Sequence, residues 1–269
     1  MRILNNRIHS NGQIGIVGDA GRSLSGLLIE GNEISANNQA GFQGGWEAGG
    51  LKLLHTSDVT IRGNRVLGNL GPGLWLDSDN IRTIFEDNIV DGNHGIGIFH
   101  EVSYDAVMRN NTVRNNGTGW DKWLWGAQIL IAASSNVEIV SNTVEVAAHA
   151  GDGICLIQQD RGSGRYGPHI IRNVRVHSNQ ITFRGTVGNM GGGGDYLLET
   201  LFAGHNIFDR NTYYLANPSH PYWHWSKGPV SWDGFRRESQ EASGTAIHLP
   251  LSDPVASKQL KPRSTATLR

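Results

Sequence analysis

The chain has one cysteine, Cys155, which excludes an internal disulfide framework and metal sites built from Cys-x-x-Cys pairs. Its formal net charge of −1 gives no electrostatic reason to expect nucleic acid or an anionic membrane as a partner. The sequence has no apolar run long enough to span a bilayer. Hydrophobic residues make up only 38% of the 269 residues and glycine occurs 36 times, which favours many turns around a narrow core.

An internal repeat is the main feature of the sequence. The phrase N-x-[IVF] recurs with shortest intervals of 24 and 23 residues, and it occurs at Asn6, Asn32, Asn64, Asn88, Asn111, Asn142, Asn179 and Asn206. Each copy lies in a short β-branched strand, and a second strand follows a glycine-rich turn. Repeats of about 20–30 residues that contain only strands and turns predict an all-β, parallel β-helix with one asparagine stacked per coil. We expect no amphipathic helix before residue 230.

The repeat divides the chain into three predicted regions. Residues 1–212 form the β-helix, and the aromatic, proline-bearing residues 213–250 form a C-terminal cap, because an uncapped solenoid end exposes core and strand edges. Residues 251–269 are polar, and we expect a poorly ordered tail. The start, MRILNNRIHSNG, lacks the apolar region of a signal peptide and already belongs to a repeat, so we expect that preceding sequence has been lost.

Two similar segments, GLWLD (residues 73–77) and GIFHE (residues 97–101), suggest an active site. Their acids, Asp77 and Glu101, are 24 residues apart, so one repeat would place them side by side on neighbouring coils. Strand alternation predicts that His100 points inward, and that Asp77 and Glu101 face outward. Aligning the strands on their glycines predicts a second outward column of Lys52, Trp75, Phe99 and Gln128.

The predicted acid pair suits glycoside hydrolysis. Neighbouring strands lie about 4.8 Å apart, so we expect the two carboxyl groups at about 5 Å. Retaining glycosidases need two carboxyls about 5–5.5 Å apart. Like charges facing each other are destabilising, so a cation, a shared proton or a functional demand must compensate.

Three loops, at residues 36–49, 115–126 and 158–169, depart from the minimal coil and carry aromatic residues or arginine, as a sugar-binding cleft requires. The predicted catalytic residues are Asp77 and Glu101, with support from Asp79, Glu47, Lys52 and His100. The predicted substrate-binding residues are Trp75, Phe99, Trp46, Gln128, Tyr104, Arg161, Arg165 and Tyr166. We expect no resident metal or cofactor.

The phrases GPGLWLDSDN, GIFHEVSYDAVMRNNTV and QQDRGSGRYGP resemble secreted bacterial members of the right-handed parallel β-helix proteins, many of which act on polysaccharides. The W-x-D segment followed 24 residues later by F-x-E is similar to β-helix glycosidases of the β-xylosidase type. This resemblance implies a right-handed β-helix, Asp77 as nucleophile and Glu101 as acid/base. It also implies a secreted or periplasmic protein with a carbohydrate substrate, which we expect to be a monomer.

Two other functions compete with the hydrolase. A polysaccharide lyase or uronate epimerase is a common use of this fold, and the basic groups it needs could come from Lys52, His55, His100, Tyr104, Arg161 and Arg165. In that case Ca²⁺ could bridge Asp77, Asp79 and Glu101, because hard cations bind carboxylate oxygens. Alternatively, the β-helix is a non-catalytic glycan-binding or structural protein, and the acid pair has no catalytic role.

Overall fold

The computed structural model describes residues 1–19, 21, 25–120, 123–195, 198–226 and 228–249. The predicted tail at residues 251–269 lies outside these described residues. Within them the chain forms short strands separated by turns of glycine, asparagine, serine and aspartate, residues that tolerate the tight backbone between coils. None of the helices in this described part is long and apolar enough to cross a membrane.

The strands in the first half are β1 (Arg2–Leu4), β2 (Arg7–His9), β3 (Ile14–Asp19), β4 (Leu28–Glu30), β5 (Glu33–Ser35), β6 (Gly49–Leu54), β7 (Thr60–Arg62), β8 (Arg65–Leu67), β9 (Leu74–Asp77), β10 (Thr83–Glu86), β11 (Ile89–Asp91), β12 (Ile98–Glu101), β13 (Tyr104–Arg109) and β14 (Thr112–Arg114). Those that follow are β15 (Ala127–Ala132), β16 (Ser135–Val140), β17 (Thr143–Val146), β18 (Asp152–Gln158), β19 (Ser163–Gly164), β20 (Gly167–Pro168), β21 (Arg175–His177), β22 (Gln180–Phe183), β23 (Met190–Gly194), β24 (Ile207–Asp209), β25 (Thr212–Leu215), β26 (Trp223–Trp225), β27 (Gly228–Val230) and β28 (Thr245–His248). The described residues also contain two short helices, α1 (Leu198–Phe202) and α2 (Trp232–Arg237).

Three long sheets form the walls of a parallel β-helix. Successive strands enter different sheets, and each pairs in parallel with the equivalent strand one coil away. The first sheet has the order β1-β4-β7-β10-β13-β16-β21-β24 and the second β2-β5-β8-β11-β14-β17-β22-β25-β28. The third has the order β3-β6-β9-β12-β15-β18-β23-β26-β27, in which the last pair is antiparallel.

Columns of apolar side chains fill the interior. Every second residue of a strand points inward, and in-register pairing places these residues in rows that run through the coils. In the first sheet the row is Ile29, Ile61, Phe85, Met108, Ile139, Val176 and Phe208. In the third sheet it is Leu51, Leu74, Ile98, Ile129 and Ile154. The narrow core agrees with the low hydrophobic content.

Stacked polar side chains stabilise the turns. In the main ladder, the side-chain oxygen of an asparagine accepts hydrogen bonds from the backbone N–H and the side-chain NH₂ of the asparagine one coil earlier. The members of this ladder are Asn6, Asn32, Asn64, Asn88, Asn111, Asn142, Asn179 and Asn211. The repeat phrase predicted Asn206 as the eighth member, but Asn206 instead accepts a hydrogen bond from the amide of Val174. The ladder ends at Glu241, whose carboxyl accepts from Asn211.

The aromatic C-terminal segment packs onto the last coils. Trp223 and Phe235 are buried and stack against each other, and Ser231 caps the first turn of α2. Strands β25 and β28 continue the second sheet beyond residue 212. The division into a helix domain and a cap stays a prediction. The short helix α1 was not expected from the sequence, which has no helical periodicity there.

Candidate active site

Asp77 and Glu101 are direct cross-strand neighbours. Strand β9 pairs with β12 in the register Leu74 to Ile98, which places Asp77 opposite Glu101. The predicted pairing is therefore confirmed, because the intervening chain is one coil of 24 residues. The same register puts Lys52, Trp75 and Phe99 in one row.

A lysine compensates the charge of Asp77. The Nζ atom of Lys52 lies 3.0 Å from Oδ2 of Asp77, and the hydroxyl of Ser78 donates to Oδ1 at 3.0 Å. The same ammonium group lies 3.7 Å from the centroid of the Trp75 ring. Lys52 thus contacts both the acid and the aromatic residue, and it offsets the like-charge repulsion between the two acids.

The carboxyl of Glu101 is almost fully enclosed. Nη1 of Arg161 donates to Oε1 at 2.6 Å, and Nε1 of Trp75 donates to Oε2 at 3.1 Å. Burial raises the pKa of Glu101 above its usual range, and the charge of Asp77 raises it further. Arg161 and Trp75 act in the opposite direction, but the net displacement is upward. Glu101 therefore keeps its proton more readily than an ordinary glutamate does.

Aromatic residues form a pocket next to Glu101. This aromatic pocket has a volume of about 440 Å³ and is lined by Gly45, Trp75, Phe99, Glu101, Gly119, Trp120 and Trp125. Its walls come from the third sheet and from the loops at residues 36–49 and 115–126, as expected for binding loops on a rigid scaffold. Sequence reasoning picked out the loop at residues 115–126 for its aromatic residues as a group, without assigning a particular tryptophan to the site.

Trp75 and Phe99, which the sequence predicts as substrate-binding residues, do not offer open ring faces to a sugar. The two rings stack on each other at 5.2 Å, and Lys52 lies on the other neighbouring strand, against the Trp75 ring. Trp125 then packs edge-on against Phe99. As a result Trp75 is only 4% exposed and Phe99 only 2% exposed. These two residues line the aromatic pocket but are almost fully buried, and the more exposed rings in its lining are those of Trp120 and Trp125.

Trp120 separates the aromatic pocket from a second cavity. The second cavity, of about 320 Å³, is lined by Asn38, Gly41, Phe42, Gly44, Leu70, Gly71, His94 and Trp120. The Trp120 ring lies so close to Gly44 that a Cβ atom there would be 3.4 Å from it. Trp120 is therefore a partition between two cavities.

Gln128 does not join the outward row. The loop before β15 shifts the register by two residues, so that Phe99 pairs with Leu130 and not with Gln128. The buried amide oxygen of Gln128 instead accepts from the backbone and side chain of Asn116, and it ends a second ladder of asparagines. Gln128 cannot contact a ligand from this position.

His100 points inward, as predicted, and this removes it from the outer face. It is fully buried, its Nε2 lies 3.3 Å from the carbonyl oxygen of Tyr104, and its ring packs edge-on against Phe85. Burial lowers the pKa of His100 to about 4. His100 is thus a neutral core residue, and the support expected from it in catalysis is wrong, because the sheet separates its ring from the acid pair.

Asp79 is held by the loop at residues 158–169. Both carboxylate oxygens of Asp79 lie 3.1 Å from the backbone nitrogen of Arg165, and Nε2 of His169 is 3.1 Å from Oδ1. The hydroxyl of Tyr104 donates to the carbonyl of Gly167 at 2.7 Å, so Tyr104 lies beneath this loop. Asp79 and Tyr104 anchor the loop, and the sequence did not single out His169, whose only signal was its place at the loop's end.

The remaining predicted residues, Trp46, Glu47 and Tyr166, lie on the loops at residues 36–49 and 158–169. Trp46 is 72% exposed, Glu47 beside it is half-buried, and their loop reaches the aromatic pocket through Gly45. Tyr166 packs edge-on against Tyr104. Among the described residues no three His, Cys, Asp or Glu side chains converge as metal ligands would, and the three-acid calcium site stays a prediction.

The family comparison agrees with the fold. Residues 1–144 of the 269 match the family model described as "Right handed beta helix region". No curated protein sequence matches the chain. The crystal structure of the Dettilon tailspike protein is similar over 91% of this chain at 11% identity, with a TM-score of 0.40, and the chain spans 60% of that tailspike chain. The predicted right-handed parallel β-helix is confirmed.

Proposed function

This chain belongs to the right-handed β-helix family, and on that scaffold we propose that it is a carbohydrate-active enzyme, a retaining glycoside hydrolase. The observation that carries the proposal is the cross-strand pair of Asp77 and Glu101 beside the aromatic pocket. The raised pKa of Glu101 supports its assignment as the proton donor.

The reaction has two steps. In the first, the Asp77 carboxylate attacks the anomeric carbon while Glu101 gives its proton to the glycosidic oxygen, so that the C–O bond breaks and a glycosyl ester forms. In the second, Glu101 takes a proton from water, which attacks the same carbon and releases Asp77. Neighbouring strands about 4.8 Å apart suit the short carboxyl separation of retaining enzymes.

Two basic residues contact the two acids before a substrate binds. Lys52 offsets the charge of Asp77, and Arg161 covers Glu101 from the loop at residues 158–169. A sugar that reaches the Glu101 carboxyl must displace Arg161, because both carboxylate oxygens of Glu101 are already hydrogen-bonded. Trp120 and Trp125 would contact the apolar faces of the sugar.

The same two cations favour a second candidate, a polysaccharide lyase or uronate epimerase. Arg161 and Lys52 could neutralise the carboxylate of a uronate, which makes the proton at C5 easier to remove. A lyase releases an unsaturated product that absorbs in the ultraviolet, whereas a hydrolase releases a reducing sugar only. Product analysis therefore separates the two.

The test is a screen on aryl glycosides and polysaccharides with Asp77→Asn and Glu101→Gln as variants. We expect each variant to lower kcat/KM by about 10²–10⁴-fold, the usual contribution of a positioned acid or base. Proton NMR of the first-formed anomer should show retention. The matched control is Glu86→Gln, because Glu86 pairs with Arg109 on the outer face of the first sheet. Inversion, or unchanged rates in both variants, would contradict the mechanism, and binding without turnover would favour a glycan-binding protein.

A further inference from the structure

A groove runs along the outer face of the first sheet, on a different wall of the β-helix from Asp77 and Glu101. It has a volume of about 660 Å³, larger than the aromatic pocket, and its lining reaches from Thr60 on β7 to Arg175 on β21. These two residues lie on the first and the last of five neighbouring strands. Because strands lie about 4.8 Å apart, the groove is about 19 Å long in the direction of the helix axis. We call this feature the first-sheet groove.

The floor of the first-sheet groove is apolar over three coils. In-register pairing places Thr60, Ile84 and Val107 in one outward row, and all three side chains are half-buried. The row continues through Glu138 and Arg175 on the next two strands. The floor therefore offers a ligand a strip of β-branched side chains that ends in charged residues.

One wall of the groove is a row of polar side chains with one member per coil. Asp58, Arg82, Asp105, Asn136 and Asn173 occupy the equivalent position in five successive coils. All five have a positive φ, and all five line the groove. The turn before each strand thus brings one polar side chain to the wall, and the spacing of these side chains is the spacing of the strands.

Hydrogen bonds join this wall into two separate runs. Nε and Nη2 of Arg82 donate to the carboxylate of Asp58 at 2.6 and 2.8 Å. Asn173 donates to Asn136, and Asn136 donates to Oδ1 of Asp105, both at 2.9 Å. Within the described residues, no hydrogen bond or ion pair joins Arg82 to Asp105, and none uses Oδ2 of Asp105. The wall therefore has a gap between a guanidinium and a carboxylate that can still bind further polar groups.

An aromatic ring lies near this gap. The pKa of Arg82 is raised, mainly by its hydrogen bond with Asp58 and in smaller part by Tyr166 and Asp105, so both of these residues lie near its guanidinium. The Tyr166 side chain belongs to the loop at residues 158–169 and is 39% exposed. An exposed ring can contact the apolar face of a sugar, while a neighbouring guanidinium and carboxylate bind its hydroxyl groups.

We propose that the first-sheet groove binds a neutral, linear polysaccharide that lies along the axis of the β-helix. This site is separate from the acid pair, and the proposal does not rest on the proposed hydrolase activity. A sugar ring has apolar C–H faces and a rim of hydroxyl groups, which match an apolar floor beside a wall of carboxylate, amide and guanidinium groups. An extended sugar chain also presents its hydroxyl groups at regular intervals, as the coils present the polar side chains of the wall.

The charges and the backbone of the groove argue against other polymers. Three acidic and two basic side chains line it, so a polyanion such as an acidic polysaccharide or a nucleic acid gains no net attraction. An extended peptide adds to a sheet through the free backbone groups of an edge strand. The central strands of the groove, β10, β13 and β16, are each paired on both sides, so they offer a peptide no edge.

The first measurement is an NMR titration of the protein, with its isoleucine and valine methyl groups labelled with carbon-13. The probes are linear hexasaccharides of glucose, mannose, xylose and N-acetylglucosamine. Binding should shift the methyl resonances of Ile84 and Val107 and leave that of Val140, which lies on the same sheet outside the groove. A glucuronic acid hexasaccharide with the linkage of the glucose probe should bind more weakly than that probe. No shift at Ile84 and Val107 with any neutral probe, or tighter binding of the acidic one, would overturn the proposal.

Two variants test the wall and the floor separately. Asp105→Asn keeps one oxygen as an acceptor for the wall but turns the other into a donor, so affinity should fall about tenfold or more. Val107→Lys puts a long side chain across the floor, beside Glu138, and should abolish binding. The matched control is Val140→Glu, which puts a long side chain beside Arg109 on the same face and should bind as the wild type does. Melting temperatures show that each variant folds, and full affinity in a folded Val107→Lys protein would contradict the proposal.

The groove and the proposed hydrolase can fail independently of each other. If the floor methyl groups respond to a hexasaccharide while the Asp77 and Glu101 variants leave sugar cleavage unchanged, the proposed function fails and the groove stands. If the probes shift the indole resonances of Trp120 and Trp125 and leave the floor methyl groups unchanged, the groove fails whatever the enzyme assay shows.

Discussion

The ammonium nitrogen of Lys52 lies 3.0 Å from a carboxylate oxygen of Asp77 on the neighbouring strand, and their side chains are only 7% and 14% exposed. Breaking a buried ion pair from one side leaves an uncompensated charge and costs about 3–5 kcal/mol. Here the cost includes the renewed repulsion between Asp77 and Glu101.

Lys52→Met should therefore lower the free energy of unfolding at neutral pH by about 3 kcal/mol. Denaturant titration at neutral pH measures this loss. The comparison is Arg62→Met, whose pair with Glu30 is much more exposed and should contribute about 1 kcal/mol or less. Equal effects of the two variants would contradict a stabilising role for the buried pair.

His100→Leu should make the protein less sensitive to acid. The pKa of His100 falls from 6.5 to about 4 on folding, so between these values the unfolded chain binds the proton and the folded chain does not. Stability is therefore lost as the pH falls from 6.5 towards 4. At about 1.4 kcal/mol per pKa unit this amounts to roughly 3 kcal/mol, and His100→Leu should remove that dependence. Glu101, whose pKa is raised, changes stability in the opposite sense. The wild type and His100→Leu should therefore be compared over the same pH range, because both contain Glu101.

Asn88→Ala should be among the most destabilising substitutions in the turns. The Asn88 side chain donates to Ile61 and Asn111 and accepts from the backbone and side chain of Asn64. Its removal leaves buried partners without hydrogen bonds at about 1–3 kcal/mol each, so we expect a loss of about 3 kcal/mol or more. Asn189→Ala, which loses a single side-chain bond to Pro221, is the control, and similar melting temperatures for both variants would refute the prediction.

Trp120→Ala should join the aromatic pocket to the cavity behind it. If the proposed function is right, the wild-type enzyme binds the end of a sugar chain against the Trp120 partition. The Trp120→Ala variant would admit longer chains and release internal fragments. Product lengths from an end-labelled oligosaccharide, chosen from the substrates found in the screen, measure this change. Trp123→Ala is the control, because Trp123 contacts His224 away from the pocket. Identical product lengths in wild type and Trp120→Ala would show that the partition does not limit the substrate.

Much of the fold could be predicted because each coil is local in sequence. A repeat of about 24 residues sets which residues stack, so the pairing of Asp77 with Glu101 and the inward position of His100 followed from counting and alternation. The same reasoning failed at Gln128 and Asn206, where loops of irregular length precede the strand. An inserted loop carries no periodicity, so the register after it cannot be counted.

The sequence by itself determined the β-helix and the rows of side chains on its faces, because hydrogen bonding between coils transmits one register from strand to strand. Only the tertiary structure decided what surrounds the acids. Arg161 reaches Glu101 across 60 residues, and His169 reaches Asp79 across 90. Those contacts depend on how a non-repeating loop folds back over the coils, which is set by side-chain packing and hydrogen bonds between distant segments and leaves no pattern in the sequence.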